Sequence, residues 1–169
     1  MSHILHSAAV IRERVTELAR RISGDYAGRQ LDVVCLLNGA SVFGADLVRA
    51  LEVPARLHQL GFTAYPGAPK SGEVRVTLDV AEPLQDRHVL LVEGVVVSGR
   101  TPLYLMELLR MRKPASLALC ALGVKPRARA VDLPVAYAGF EFGDEIAAGY
   151  GMGNLAQRSL PHIIAAEAH

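Results

Sequence analysis

The sequence predicts an α/β fold in which a mainly parallel sheet carries helices on both faces. Residues 31–37 and 88–97 form continuous apolar runs that are too short for buried helices and fit strands buried on both faces. Stretches with apolar side chains at helical spacing alternate with these runs along the chain. Such alternation is typical of parallel sheets whose strands are connected by helices.

Three helices are predicted from apolar spacing and from residues that start or stop helices. The first covers residues 8–22 and stops at Gly24. The second starts with Ser41 as its N-cap. For the third, Thr101 is the predicted N-cap, because Pro102 has no N–H and therefore suits the first helical position.

Further strands are predicted at residues 53–62, 73–80, 116–124 and 135–140. Residues 63–72 are rich in proline, glycine and small side chains, which predicts a mobile surface loop. The chain of 169 residues shows no internal repeat and no low-complexity linker, and its length is usual for one domain. We therefore expect a single domain over residues 1–169.

Composition and charge exclude several classes of function. Eighteen basic and seventeen acidic residues leave a formal charge of +1, which gives no general attraction to nucleic acid or to an anionic membrane. Because the start lacks a basic segment followed by a long apolar one, and no run approaches membrane-spanning length, we expect neither export nor membrane insertion.

Cys35 and Cys120 lie in apolar runs, which predicts buried, reduced thiols in a cytoplasmic protein. His3 and His6 lie near a terminus expected to be mobile, and the other histidines are scattered, so no metal-ligand set is predicted.

A short polar loop between the strand at 88–97 and the third helix is a candidate phosphate site. It consists of Ser98, Gly99, Arg100 and Thr101. Backbone N–H groups, two hydroxyls and the positive end of a helix dipole would meet there, which suits a phosphate monoester. The alternative is an ordinary strand-to-helix turn, because doubly wound domains commonly place Gly and Ser in such turns.

Several segments together resemble the hypoxanthine-guanine phosphoribosyltransferases, a branch of the type I phosphoribosyltransferases. VLLVEGVVVSGRT resembles the phosphoribosyl-diphosphate signature, and LLNGASVFGADLVRAL resembles the diphosphate-binding loop with its helix. KPRARAVDLPVAYAGFEFGDEIAAGYGMG resembles the purine-binding region, and RERVTELARRISGDY and RSLPHI match near the two ends. The segments are collinear and cover most of the chain. The resemblance implies a flavodoxin-like sheet with a small hood, a purine nucleotide or phosphoribosyl diphosphate as ligand, Mg²⁺ as cofactor, and a homodimer or homotetramer.

The resemblance also assigns roles to particular residues, each of which has a simpler alternative. The implied sites are the 5′-phosphate site (Ser98, Gly99, Arg100, Thr101), the ribose site (Glu93), the diphosphate site (Asn38, Gly39, Arg158), the purine site (Lys125, Ile146, Ala147) and the mobile loop (Tyr65). Arg158 takes its role only if one residue is deleted between Met152 and Arg158. As alternatives, Lys125 and Arg158 are ordinary solvated charges, and Glu93 is a surface carboxylate at a strand end.

The chain departs from the family pattern at positions that carry chemistry. Gly94 stands in place of the second ribose-binding acid, and Val97 in place of the aspartate that acts as acid and base near purine N7. Gly153 replaces an aspartate that helps to bind the metal. Ile146, Asn38 and Ala64 replace a stacking aromatic ring, a lysine and a serine, respectively. We therefore assign no catalytic residue and expect weakened Mg²⁺ binding, since Gly94, Val97 and Gly153 offer no carboxylate.

Two functions remain open at this point, and a third is less specified. The first is a divergent purine phosphoribosyltransferase that transfers ribose 5-phosphate to a 6-oxopurine, with positioning supplying most of the catalysis. The second is a non-catalytic nucleotide sensor or regulatory partner on the same fold. A new reaction on this scaffold is the third, and nothing in the sequence specifies it.

Overall fold

A computed structural model of the protein describes residues 3–64 and 74–166. The predicted loop at 63–72 therefore falls mostly outside the described residues, and so does Tyr65. Within the described ranges, no helix is both long and apolar enough to cross a membrane.

The centre of the molecule is a six-stranded sheet with the order β4-β3-β2-β5-β6-β7. Its strands are β2 (Leu31–Leu36), β3 (Ala55–Ala64), β4 (Val74–Leu78), β5 (His88–Val96), β6 (Ser116–Val124) and β7 (Tyr137–Glu141). All neighbouring pairs are parallel except β3 with β4, which is antiparallel. The predicted, mainly parallel sheet is confirmed, with strand ends that differ by at most two residues from the prediction.

Helices cover both faces of this sheet, as the apolar spacing predicted. They are α1 (Ala8–Asp25), α2 (Ser41–Ala50) and α3 (Arg100–Arg110). The first two pack on one face, where Ile11 and Phe43 join the cluster that holds Leu90 and Val92 of β5. The third packs on the other face, where Leu105 contributes to a second buried cluster. Because β5 is buried from both sides, its sequence is continuously apolar rather than alternating.

A second, antiparallel sheet of three strands forms a small hood over one end of the molecule. It has the order β1-β9-β8, with β1 at His3–His6, β8 at Ile146–Ala148 and β9 at Ile163–Ala166. The prediction of a mobile N-terminus was therefore wrong for His3 and His6. The ring of His6 stacks on Phe140 with 3.9 Å between ring centroids. Pairing with β9, far away in sequence, orders a segment too short to show a pattern of its own.

Two helix starts differ from the prediction. The N-cap of α2 is Ala40, and Ser41 is already helical, with its hydroxyl donating to the carbonyl of Asn38 at 2.8 Å. The N-cap of α3 is Gly99, so Thr101 is the second helical residue rather than the cap. Gly99 has φ of 82°, a left-handed conformation that costs glycine little, and this allows the helix to begin earlier than Pro102 suggests.

The strand order creates a switch point between β2 and β5. From β2 the chain moves outward to β3, and from β5 it moves outward in the opposite direction to β6. The loops that follow β2 and β5 therefore diverge at the carboxyl edge of the sheet and leave a crevice between them. In open α/β sheets, ligands bind in this crevice.

Candidate functional site

The loop at residues 98–101 lies on one side of this crevice, at the carboxyl end of β5. Ser98 is partly exposed, and its hydroxyl oxygen accepts a hydrogen bond from the Arg100 N–H at 3.3 Å. Thr101 is partly exposed and Arg100 is exposed at the start of α3. Pro102 has no N–H, and the Leu103 N–H donates to the Gly99 carbonyl at 3.0 Å, so the backbone donor that the first turn of α3 leaves for an anion is the N–H of Thr101.

Residues 129–133, a segment without helix or strand that we call the wall, pack against the loop. The Ala130 N–H donates to the carbonyl of Ser98 at 3.0 Å. A Cβ atom built on Gly99 would lie 3.2 Å from Val131 Cγ2 and 3.4 Å from Leu133 Cδ2. The backbone at Gly99 therefore packs directly on this wall, and a larger residue would have to displace it.

The predicted diphosphate loop lies on the other side of the crevice, after β2. The Leu37–Asn38 peptide bond is cis, and Asn38 is exposed. Its carbonyl accepts hydrogen bonds from both the N–H and the hydroxyl of Ser41, at 3.1 Å and 2.8 Å. These bonds tie the loop to the start of α2 and fix the position of Gly39.

Glu93 lies within β5 between the two loops. Its carboxylate accepts a hydrogen bond from the N–H of Gly94 at 2.8 Å. Burial raises the pKa of this carboxyl to about 7, although the bond to Gly94 acts in the opposite direction. The carboxyl that the sequence assigned to ribose therefore titrates near neutral pH.

Gly94 is enclosed by the diphosphate loop and the tail. A Cβ atom built there would lie 3.0 Å from the Gly39 carbonyl oxygen and 3.3 Å from Met152 Sδ. The loop after β2 thus packs closely against the position where the family pattern has an acid. Any side chain at residue 94 would have to move Gly39 or Met152.

The predicted purine site joins the end of β5 to the hood. The N–H of Lys125 donates to the carbonyl of Val96 at 2.9 Å, and its Nζ donates to the carbonyl of Glu145 at 2.5 Å. Ile146 follows in β8, an edge strand of the hood, and is 45% exposed. Val97 is 46% exposed, so both aliphatic side chains are open to a ligand rather than packed in the core. Ala147, by contrast, is half-buried and packs against the main apolar cluster.

Arg158 belongs to the tail segment that borders the diphosphate loop. Its Nε donates to the carbonyl of Gly153 at 2.8 Å, and its own carbonyl accepts from the N–H of Gly151 at 2.9 Å. A Cβ built on Gly151 would lie 3.3 Å from the Gly39 carbonyl oxygen. The exposed Arg158 side chain is therefore anchored beside the loop to which the sequence assigned it.

A cleft of about 570 Å³ lies outside the crevice, between α1, α2 and the tail. Among the predicted site residues, only Arg158 is found on its walls.

The residues present do not fit a magnesium site built by the protein alone. Of positions 93, 94, 97 and 153, only Glu93 carries a carboxylate. In the described part of the chain, no three His, Cys, Asp or Glu side chains cluster in a way that could hold a metal. Mg²⁺ commonly keeps its waters and is held through substrate phosphates, with few protein ligands. This chain could add Glu93 to a metal carried on a diphosphate.

The sequence interpretation missed the wall behind the phosphate loop, including Arg129. The sequence feature that could have pointed to Arg129 is the basic stretch after Lys125. The sequence interpretation assigned this whole stretch to the purine-binding region. The sequence interpretation mentioned Met152 only to align Arg158 with the family. In the structure, its sulfur lies 3.3 Å from a Cβ atom built on Gly94. Both roles depend on contacts between distant segments, which spacing along the chain does not reveal.

Comparisons with known proteins agree with this fold. The family model described as a phosphoribosyl transferase domain matches residues 2–153. The hypoxanthine phosphoribosyltransferase of Salmonella typhimurium is 38% identical over 160 residues, covering 92% of this chain and 89% of the relative. That of Haemophilus influenzae is 36% identical over 159 residues, covering 92% and 88%. A crystal structure of a hypoxanthine-guanine phosphoribosyltransferase from Bacillus anthracis, with HEPES in its active site, superposes with a TM-score of 0.95 at 32% identity, covering 98% of each chain.

Proposed function

Since the chain belongs to the phosphoribosyltransferase family and to its hypoxanthine-guanine branch, we propose that residues 98–101 hold the 5′-phosphate of a purine nucleotide or of phosphoribosyl diphosphate. One observation carries this proposal. The loop follows β5 and the loop at Asn38 and Gly39 follows the neighbouring strand β2, so the two flank the switch point of the sheet. A phosphate in one loop and a diphosphate in the other would place the ribose between them, near Glu93.

The reaction that we propose transfers ribose 5-phosphate from phosphoribosyl diphosphate to a ring nitrogen of a 6-oxopurine and releases diphosphate. The Lys125 ammonium faces the oxo group of the base, and Ile146 covers the ring. The edge strand at Ala147 offers backbone groups to the base. Arg158, Asn38 and Gly39 hold the diphosphate, and Tyr65 belongs to the loop that closes over it.

We further propose that this transfer is slow. As one nitrogen of the five-membered purine ring attacks the ribose, the other ring nitrogen must lose its proton, and since Val97 at the end of β5 cannot accept it, the proton passes to water. Positioning of the two substrates alone can contribute ~7 kcal/mol or more to catalysis, so turnover survives at a reduced rate. The weakened binding of Mg²⁺ belongs to the same proposal, since Glu93 is the one acid retained of the four positions that the family pattern makes acidic.

A non-catalytic nucleotide sensor is the second candidate, and the packing at Gly94 favours it. A Cβ atom at residue 94 would lie 3.0 Å from the Gly39 carbonyl oxygen, so a side chain there would require the loop to move by a few tenths of an ångström. The loop is therefore adapted to the absence of an acid, as expected of a site whose remaining task is binding.

Three broader features stay predictions. We propose that the chain forms one domain, that it assembles as a homodimer or homotetramer, and that it acts in the cytoplasm. The relatives named above match over nearly their full length, which supports the first of these.

An assay of base conversion distinguishes the enzyme from the sensor. Hypoxanthine or guanine and phosphoribosyl diphosphate are incubated with the wild type, Thr101→Ala, Val97→Asp and Val97→Asn. We expect slow turnover that Thr101→Ala reduces at least about 10-fold, because a phosphate contact is lost. Val97→Asp should raise turnover by roughly 10²-fold, because a positioned acid and base contributes about 10²- to 10⁴-fold.

Val97→Asn is the matched control, because it adds the same shape and polarity without a carboxylate. Equal gains in both variants would show that proton transfer is not what position 97 lacks. No turnover in any variant, together with nucleotide binding, would favour the sensor over the enzyme. Absence of both turnover and binding would overturn the two candidates together.

A further inference from the structure

Arg129 lies in the wall behind the phosphate loop. It follows a single 3₁₀ turn at Pro126–Ala128, and the next residue, Ala130, donates its N–H to the carbonyl of Ser98 at 3.0 Å. Its own Nη1 donates to the carbonyl of Leu133 at 2.9 Å. The guanidinium is thus fixed within the wall rather than extended into solvent.

The guanidinium also lies against the backbone of the loop. A Cβ atom built on Gly99 would be 3.6 Å from Arg129 Nη1. Because Gly99 has no side chain, the guanidinium can lie this close to the loop, next to Val131 and Leu133. A permanent cation and the positive end of the α3 dipole are therefore both near the backbone of Gly99.

The charge of Arg129 is incompletely compensated within the described ranges. Its Nε is buried and has no hydrogen-bond partner. Every other buried side-chain nitrogen or oxygen in that part of the chain has one. Asp132 and Glu141 border the same hollow, but neither forms an ion pair with Arg129 there. Unpartnered buried donors are rare, and a cation left uncompensated beside an anion site strengthens that site.

We infer that Arg129 is a positioning residue for the phosphate. It holds the left-handed turn at Gly99 from behind and supplies the charge that makes residues 98–101 select a dianionic phosphate monoester over an uncharged sugar. This inference rests on the proposed function and specifies how its phosphate site gains selectivity. Arg100, which the sequence placed in the site, is exposed and lies outside the wall.

The test compares two ligands that differ only in the phosphate. Calorimetry measures the affinity of the full chain for guanosine monophosphate and for guanosine, in the wild type, Arg129→Met and Arg129→Lys. Arg127→Met is the matched control, because Arg127 lies on the same turn, is exposed and carries the same charge. Thermal unfolding without ligand reports the stability of each variant.

We expect Arg129→Met to weaken binding of the monophosphate about 10-fold and to change guanosine binding less than about 2-fold. Arg129→Lys should restore most of the loss, because it keeps the charge, and Arg127→Met should leave both affinities within about 2-fold. A merely structural role would lower the affinities for both ligands together and would not be rescued selectively for the monophosphate.

An unchanged ratio of the two affinities in Arg129→Met overturns the inference while leaving the proposed function intact. An equal change of that ratio in Arg127→Met overturns it as well, since any nearby charge would then suffice. A wild type that binds no monophosphate overturns the proposed function, and this inference with it.

Discussion

Glu93 is the acid that this site keeps, and its surroundings change how it behaves. Motif comparison alone places a carboxylate beside the ribose at neutral pH. The structure adds that burial raises the pKa of this carboxyl from 4.5 to about 7. The group is therefore partly neutral under ordinary conditions, which lowers its repulsion of an anionic ligand.

The raised pKa of Glu93 predicts a pH dependence of stability. The folded chain binds the Glu93 proton more tightly than the unfolded chain does between pH 4.5 and about 7. The free energy of unfolding should therefore fall as pH rises through this window, by at most ~3 kcal/mol from this group. Glu93→Gln should remove that contribution and be more stable than the wild type at pH 8, as measured by urea unfolding at pH 5 and pH 8.

Glu107→Gln serves as the control for this prediction, because Glu107 is an exposed glutamate of α3. It should leave the slope of stability against pH unchanged. If Glu93→Gln and the wild type lose the same stability between pH 5 and pH 8, the carboxyl is not buried as described.

Sequence comparison assigned roles to residues but could not predict their contacts. It placed Lys125 in the purine site, and the structure links that lysine to both the end of β5 and the hood. It did not single out Arg129, because the link of Arg129 to Gly99 is formed between segments about thirty residues apart. A charged residue in a basic stretch looks like a solvated one until its neighbours are known.

Among the elements, the unit from β5 through the phosphate loop to α3 was predicted correctly in order but not in detail. Thr101 and Pro102 form a strong local start signal for a helix. The packing of Gly99 on Val131 and Leu133 overrides this signal and moves the start to Arg100. Strands β1, β8 and β9 were not predicted, because each has four residues or fewer and their pairing joins distant parts of the chain.

The close packing behind the loop predicts a specific cost for Gly99→Ala. Gly99 and Gly28 both have positive φ, 82° and 74°, so alanine is strained at either position by roughly 1–2 kcal/mol. At Gly28 the new methyl would meet no atom within 4 Å, whereas at Gly99 it would meet Val131 at 3.2 Å. Gly99→Ala should therefore lower the free energy of unfolding by about 1 kcal/mol more than Gly28→Ala does.

Urea unfolding of the two variants measures this difference, and their nucleotide affinities add a second readout. Only Gly99→Ala should weaken binding of a nucleoside monophosphate. Equal losses of stability in the two variants, with affinity retained, would mean that the wall does not support the loop.

Across the whole molecule, the amino end and the carboxyl end of the parallel sheet differ in structure. At the amino end, buried Asp32 pairs with His58 and Arg87, each at 2.7 Å, which satisfies its charge inside the fold. At the carboxyl end, the loops after β2 and β5 diverge and leave Val97, Ile146 and the phosphate loop open to a ligand. The fold class followed from apolar runs and helical spacing, whereas the closeness of the two loops followed only from the strand order.

The central claim is that residues 98–101 bind a purine nucleotide through its phosphate, and the proposed weakening of Mg²⁺ binding predicts that a monophosphate binds without the metal. Calorimetric titration of the wild type and Thr101→Ala with guanosine monophosphate, with and without Mg²⁺, tests it directly. We predict binding to the wild type that changes less than about 2-fold on adding Mg²⁺ and is weakened at least about 10-fold by Thr101→Ala. Binding that requires Mg²⁺, or that Thr101→Ala leaves unchanged, would contradict the claim.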